Sequence, residues 1–162
     1  MVGERFDYRI IAICVYFVVF FMYFFIGFYP VDASNYKIYT KLEIPSISLV
    51  ADVTRINLDN GKLNTPDTIV GSFSKNNNKT LLIGHSSTIF HNLNKVRLRD
   101  RLNFDNMMYR ITNIDMITKE KIKMKDLLKS ESTNQIVIMT CAGKRIGDSD
   151  ATHRLILTAE VE

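Results

Sequence analysis

The sequence predicts a mainly-β domain, an antiparallel barrel or sandwich with short helices, carried behind one membrane-spanning helix. Two observations predict it. Residues 10–29, IIAICVYFVVFFMYFFIGFY, are a run of twenty residues without a charge, which at helical rise matches the roughly 30 Å of a bilayer core. After Pro30 the pattern changes to short apolar, β-branched runs separated by turn residues, the signature of many short strands.

The apolar run reads as an uncleaved anchor. Eleven of the chain's seventeen Phe and Tyr fall between Phe6 and Tyr29, and Tyr8, Tyr23 and Tyr29 suit an interfacial belt. A cleaved signal peptide has a shorter apolar core and a plainly basic start; here Arg5 and Arg9 are offset by Glu4 and Asp7. Cys14 is then a small apolar residue of the helix and has no pairing partner in Cys141, so no disulfide framework is expected. The expected organisation is a cytoplasmic tail over 1–9, the transmembrane helix over 10–29, a linker over 30–36 and the β-rich domain over 37–162. The N-terminus lies inside and the large C-terminal part outside the cell membrane. No second span is expected after Val161.

The elements of the soluble part follow in order. Ile38, Leu42 and Ile44 mark a first strand that ends at Pro45, and Ile47 to Val53 a second. Leu58-Asp59-Asn60-Gly61 is a turn, and Lys75 to Lys79 a polar loop. Thr80 to Gly84 is a compact apolar strand, and Ile89 to Val96 one or two helical turns. Arg99 to Phe104 and Met107 to Ile117 form a hairpin around Asp105-Asn106. Ile122 to Leu128 is a short helix. Ile136 to Cys141 and Arg154 to Val161 are the last strands, joined by a polar connection.

Net charge is +4, and no basic stripe is interleaved with aromatics, so nucleic acid is not an expected partner. The densest basic run, Lys119 to Lys129, has five lysines and two acids and reads as a solvated loop and short helix.

Chemistry concentrates in three distant segments: Leu82-Ile83-Gly84-His85, Ile136-Val137-Ile138-Met139-Thr140-Cys141 and His153-Arg154-Leu155-Ile156-Leu157. Each puts a reactive side chain at the end or start of a run that reads as a buried strand, and stiff strands can hold such groups in fixed relation. A thiol, an imidazole and a guanidinium suffice to attack a carbonyl, move a proton and steady an oxyanion. Taken alone, each has an ordinary structural explanation: a buried thiol, a strand-end histidine, a surface charge. His91 reads as a residue of a polar helix face. His153 points to the opposite side of the strand from Arg154. Thr140 is a neighbour able to support Cys141 by a local hydrogen bond.

These residues resemble the sortase family of membrane-anchored bacterial cysteine transpeptidases. Leu42-Glu43-Ile44-Pro45-Ser46-Ile47 is similar to the family's early Leu-x-Ile-Pro-x-Ile strand. Leu82-Ile83-Gly84-His85 resembles its strand ending in Gly-His. Phe90, Leu93 and Arg99-Asp100-Arg101-Leu102 resemble the helix and strand that follow it. Val137-Ile138-Met139-Thr140-Cys141 matches the Thr-Leu-x-Thr-Cys signature at its last two positions. Arg154 stands thirteen residues past Cys141, at the expected start of the last strand. The likeness runs from about Leu42 to Val161. Val137 and Ile138 depart from the signature in strand-compatible ways, and the connection from Ala142 to His153 is short.

The resemblance implies a closed eight-stranded sortase-type β-barrel with a groove at one end. It implies a catalytic Cys141 nucleophile, His85 as general acid and Arg154 on the substrate carbonyl or oxyanion. Thr140 and Ala142 would border the substrate. It implies surface proteins with a C-terminal LPxTG-like sorting motif as donors, and a wall-peptide amine or pilin lysine as acceptor. No metal or organic cofactor is implied: Asp115 and Glu120 are isolated, and Glu131 sits among polar neighbours. Two other readings compete. An L,D-transpeptidase would carry Cys in a His-Gly-Cys context, which Met139-Thr140 does not supply. A non-catalytic, membrane-tethered β-barrel binding module of the envelope would leave Cys141 inert.

Overall fold

The computed structural model describes residues 36–59, 62–63, 65–76, 78–129, 133–147 and 150–162. The span expected over 10–29 and its flanks lie outside the described residues. Among those described, no helix is long and apolar enough to cross a membrane. The strands are β1 (Ile38–Ile44), β2 (Leu49–Arg55), β3 (Leu58–Asp59), β4 (Lys62–Leu63), β5 (Val70–Asn76), β6 (Lys79–Ile83), β7 (Arg101–Phe104), β8 (Met107–Thr118), β9 (Gln135–Ile146) and β10 (Asp150–Val161). Eight of them close a barrel in the order β1-β2-β5-β6-β9-β10-β8-β7, with β7 returning to β1; β3 and β4 form a separate ribbon.

Each strand has a local cause. Pro45 cannot donate to a ladder, so β1 ends there in a single 3-10 turn, and Ser48 at φ 52° swings the chain into β2. Asp105 and Asn106 both take positive φ, the conformation a two-residue hairpin between β7 and β8 requires. The short helix is one turn, Met124–Leu127, and the helical turns after β6 reduce to a 3-10 turn over Leu93–Lys95.

Three features differ from the sequence reading. β5 stands where no strand was expected, because Gly71, Ser72 and Ser74 dilute its apolar signal to Val70 and Phe73. The barrel is not wholly antiparallel, since β2–β5 and β6–β9 are parallel ladders. The polar connection after Cys141 is mostly strand: β9 and β10 continue past the barrel core as a two-stranded ribbon to Ile146 and Asp150. Its residues are polar because Gly143 to Gly147 are exposed to solvent.

Two apolar clusters sit on opposite faces of the same strands. The inner one fills the barrel with Leu42, Ile44, Val53, Leu82, Leu102, Ile111, Ile136, Ile138, Leu155 and Leu157 among others. The outer one joins Leu81, Ile83, Val137 and Ile156, with Met139 and Ile117 packed on it, and is roofed by Ile122, Met124, Leu127 and Leu128 from the β8–β9 connection. Side chains alternate along a strand, so β6, β9 and β10, apolar on both faces, read as continuous apolar runs.

Gly84 follows β6 for a packing reason. A Cβ there would lie 2.6 Å from Ile89 Cγ2 and 2.7 Å from the Phe90 ring, closer than carbon atoms approach. Phe90 is itself buried, so the neighbour cannot give way cheaply. Gly84→Ala is expected to destabilise the chain by about 1–3 kcal/mol, the usual cost of overpacking, measured as a lowered urea midpoint with unchanged slope.

Candidate active site

Strand register builds the site. In the β9–β10 ladder Cys141 lies directly opposite Arg154. In the parallel β6–β9 ladder Leu81 pairs with Val137 and Ile83 with Met139, and the same step carried on by two residues sets His85 beside Cys141. On the far side Arg154 faces Ile117 of β8. With a side-chain period of two, this row lies on the face of Ile83, Met139 and Ile156, the outer cluster, not in the barrel interior. Cys141 and Arg154 therefore occupy facing positions on strands about 5 Å apart, and His85 lies in the turn just past β6, whose register with β9 points it to the same side. Cys141 forms no disulfide, and the residue is half-buried.

The register is tied at one point. Thr140 donates its hydroxyl to the Gly84 carbonyl at 2.7 Å, joining β9 to the end of β6 beside the row. The Gly84 N–H donates back to the Met139 carbonyl at 3.4 Å. Thr140 is only 4% exposed, and its hydroxyl faces β6 and not the groove. The side chain that the sequence set at the substrate is here an internal tie.

His85 sits where the chain leaves β6. Its carbonyl accepts from the N–H groups of Thr88 and Phe90, which fixes the backbone of the turn. Its ring Nε2 lies 3.3 Å from the Thr65 carbonyl and 3.6 Å from Asp67 Oδ1. A carbonyl only accepts, so in this contact Nε2 is the donor. Asp67 is largely exposed and contributes weakly.

Arg154 is held more firmly. Its Nη1 donates to the carbonyls of Ala151 (2.9 Å) and His153 (3.0 Å), and its Nη2 donates to Asp150 Oδ1 at 2.7 Å. Its side chain is 15% exposed. Asp150 also accepts from Lys119, at the start of the β8–β9 connection, and from the Ala151 N–H. Lys119 first, then Arg154, then that N–H hold the Asp150 carboxyl well below the usual carboxylate range.

Ala142 pairs with His153, and its side chain packs against the inner core, so only its backbone borders the row. The ladder bulges between Ala151 and His153. Gly143 takes φ +79°, and a Cβ there would lie 2.7 Å from both Thr152 Oγ1 and His153 Nδ1. His153 faces the side opposite Arg154 and bonds Thr152 Oγ1. His91 is exposed and bonds the Thr88 carbonyl. Among the described residues no group of His, Cys, Asp and Glu could hold a metal ion. Asp150, Lys119 and the Thr65 carbonyl escaped the sequence reading. The one available signal was the four-residue spacing of Asp150 and Arg154, on what looked like a loop.

A half-buried cysteine with an imidazole and a guanidinium in its strand row is the outfit of a cysteine acyl-transfer enzyme. The comparisons agree with that class. The Sortase domain family matches residues 42–162, and the chain belongs to the sortase family, whose members are cysteine transpeptidases. Solved structures share the fold. Sortase A from Corynebacterium diphtheriae, a lid mutant, has TM-score 0.62 and 19% identity over 80% of this chain and 73% of that one. Sortase C-1 from Actinomyces oris has TM-score 0.60 and 20% identity over 82% and 74%. Sortase C from Clostridium perfringens SM101 has TM-score 0.60 and 18% identity over 78% and 70%. No curated protein matches the chain.

Two outcomes follow from these contacts. Thr140→Val keeps shape but leaves the Gly84 carbonyl without its donor; a loss of about 1–3 kcal/mol is expected by urea unfolding. Asp150 has a depressed folded pKa, so its stabilisation is fully present above the ordinary value of 3.8 and is lost as pH falls through the folded value. Thermal melts of the parent should therefore fall more steeply below about pH 4 than those of Asp150→Asn.

Proposed function

We propose that this sortase-type transpeptidase cleaves an LPxTG-like sorting motif through a thioacyl intermediate on Cys141. It then passes the protein to an amine of the wall peptide or of a pilin lysine. The observation that carries this reading is the row His85–Cys141–Arg154, set by register on the outer face of the barrel.

The Cys141 thiol passes its proton to His85, and the thiolate sulfur attacks the carbonyl carbon of the motif's threonine. The oxyanion forms beside Arg154, whose permanent charge and planar donors suit it, with the Ala142 N–H as a second donor. As the Thr–Gly C–N bond breaks, His85 returns that proton to the departing amine. A thioester remains on Cys141. The acceptor amine attacks it, loses its proton to His85, and Cys141 leaves as thiolate. Every bond made or broken is covalent acyl chemistry, which these side chains balance among themselves.

The placement in the cell belongs to the same proposal. Residues 10–29 anchor the chain as a single span, with residues 1–9 inside and the catalytic domain facing the wall. That position gives access to secreted proteins with C-terminal sorting motifs and to wall amines.

The test is a transpeptidation assay with the full chain in detergent, LPxTG-like peptides and an amine acceptor. Cys141→Ala is expected to abolish product. His85→Ala and Arg154→Ala are each expected to lower kcat by about 10²–10³-fold. Full activity in either of the last two would overturn the assigned roles. Inactivity of the parent with every motif, together with an inert Cys141, would favour the binding module.

A further inference from the structure

We propose that Asp150 is a positioning residue for Arg154, and that Lys119 keeps the pair's charge positive; this rests on the transpeptidase reading above. Arginine has a long, freely rotating stem. Its usefulness at Cys141 depends on where the guanidinium is parked, since misplacement by about an ångström can cost 10²-fold in rate. Three bonds park it: Asp150 Oδ1 at 2.7 Å, and the carbonyls of Ala151 and His153 at 2.9 and 3.0 Å. Only the first comes from a side chain and can be removed without altering the strand.

An isolated surface ion pair is worth little. This one differs in three respects. Arg154 is mostly withdrawn from water. The Asp150 carboxylate is itself braced by the Ala151 N–H at 2.8 Å. Its second oxygen is taken by Lys119. The bulge between Ala151 and His153 turns the strand so that Asp150, four residues earlier, reaches back to Arg154.

Lys119 resolves an apparent conflict. A carboxylate bonded to Arg154 would, by itself, cancel the field meant for the oxyanion. With Lys119 on the other oxygen, two cations share one anion, and the trio retains a net positive charge beside the strand position that faces Cys141. Asp150 then fixes the guanidinium without neutralising the site. Lys119 begins the connection that roofs the outer cluster, so the trio also pins that connection to the end of β10.

The test uses the full chain in detergent and two readouts. In transpeptidation, Asp150→Ala is expected to lower kcat by about 10–100-fold with KM changed less than about threefold. Asp150→Asn, whose amide oxygen still accepts from Nη2, should recover part of the loss. The second readout needs no sorting motif. Iodoacetate is an anion, so its rate of labelling Cys141 senses the nearby guanidinium. Arg154→Ala should slow labelling by about fivefold or more in the parent and less than about twofold in the Asp150→Ala background, a coupling that a double-mutant cycle isolates. Parental kcat in Asp150→Ala, or equal effects of Arg154→Ala in both backgrounds, would overturn the proposal. If the parent turns over no peptide, the substrate reading fails, and the labelling cycle still decides whether Asp150 positions Arg154.

Discussion

The structure depends on the register between β6, β9 and β10. Side chains on a strand alternate faces, so a slip by one residue would turn Cys141 into the barrel and Thr140 out of it. Both faces of these strands are apolar here, which removes the usual penalty that fixes register. What remains is size and polarity at particular places. Leu82, Ile138 and Leu157 fill the interior, Ile83, Met139 and Ile156 the exterior, and the bond from Thr140 to the Gly84 carbonyl is available in one register only. The catalytic row is thus a consequence of packing two rows below it and of one hydrogen bond beside it.

The same constraint explains how the site is divided between rigid and adjustable parts. Cys141 lies within β9, where the β10 ladder holds its backbone and the β6 ladder ends two residues before it. His85 lies two residues beyond β6, in a turn secured by its own carbonyl and by the packing of Phe90 against Gly84. Arg154 has a fixed backbone and a long side chain, so its position is set by side-chain contacts to Asp150 and by the bulged ribbon. The nucleophile is held by the fold, the acid by a turn, and the cation by an ion-pair network.

Much of this was legible in the residues. The long apolar runs of β6, β9 and β10, the Asp105-Asn106 turn and the stop at Pro45 each have one dominant local cause. The reactive residues at the ends of those runs were readable for the same reason. β5 was not, because a strand made of Gly71, Ser72 and Ser74 takes its place from pairing with β2 and β6 rather than from its own pattern. The extension of β9 and β10 past Cys141 was hidden because its β9 half, Gly143 to Gly147, is exposed on both faces and carries no apolar alternation. Asp150 was hidden with it: polar residues there read as a loop, and its partnership with Arg154 exists only after the bulge has formed.

The measurement that bears most directly on the account is capture of the acyl intermediate. The full chain, mixed with an LPxTG-like peptide library and no added amine, is quenched in acid, digested and mapped by mass. The account predicts an added mass equal to the motif's acyl part on the peptide containing Cys141, removable by hydroxylamine as a thioester is. A folded chain whose Cys141 alkylates readily yet carries no acyl group, or that carries it on another residue, would contradict it.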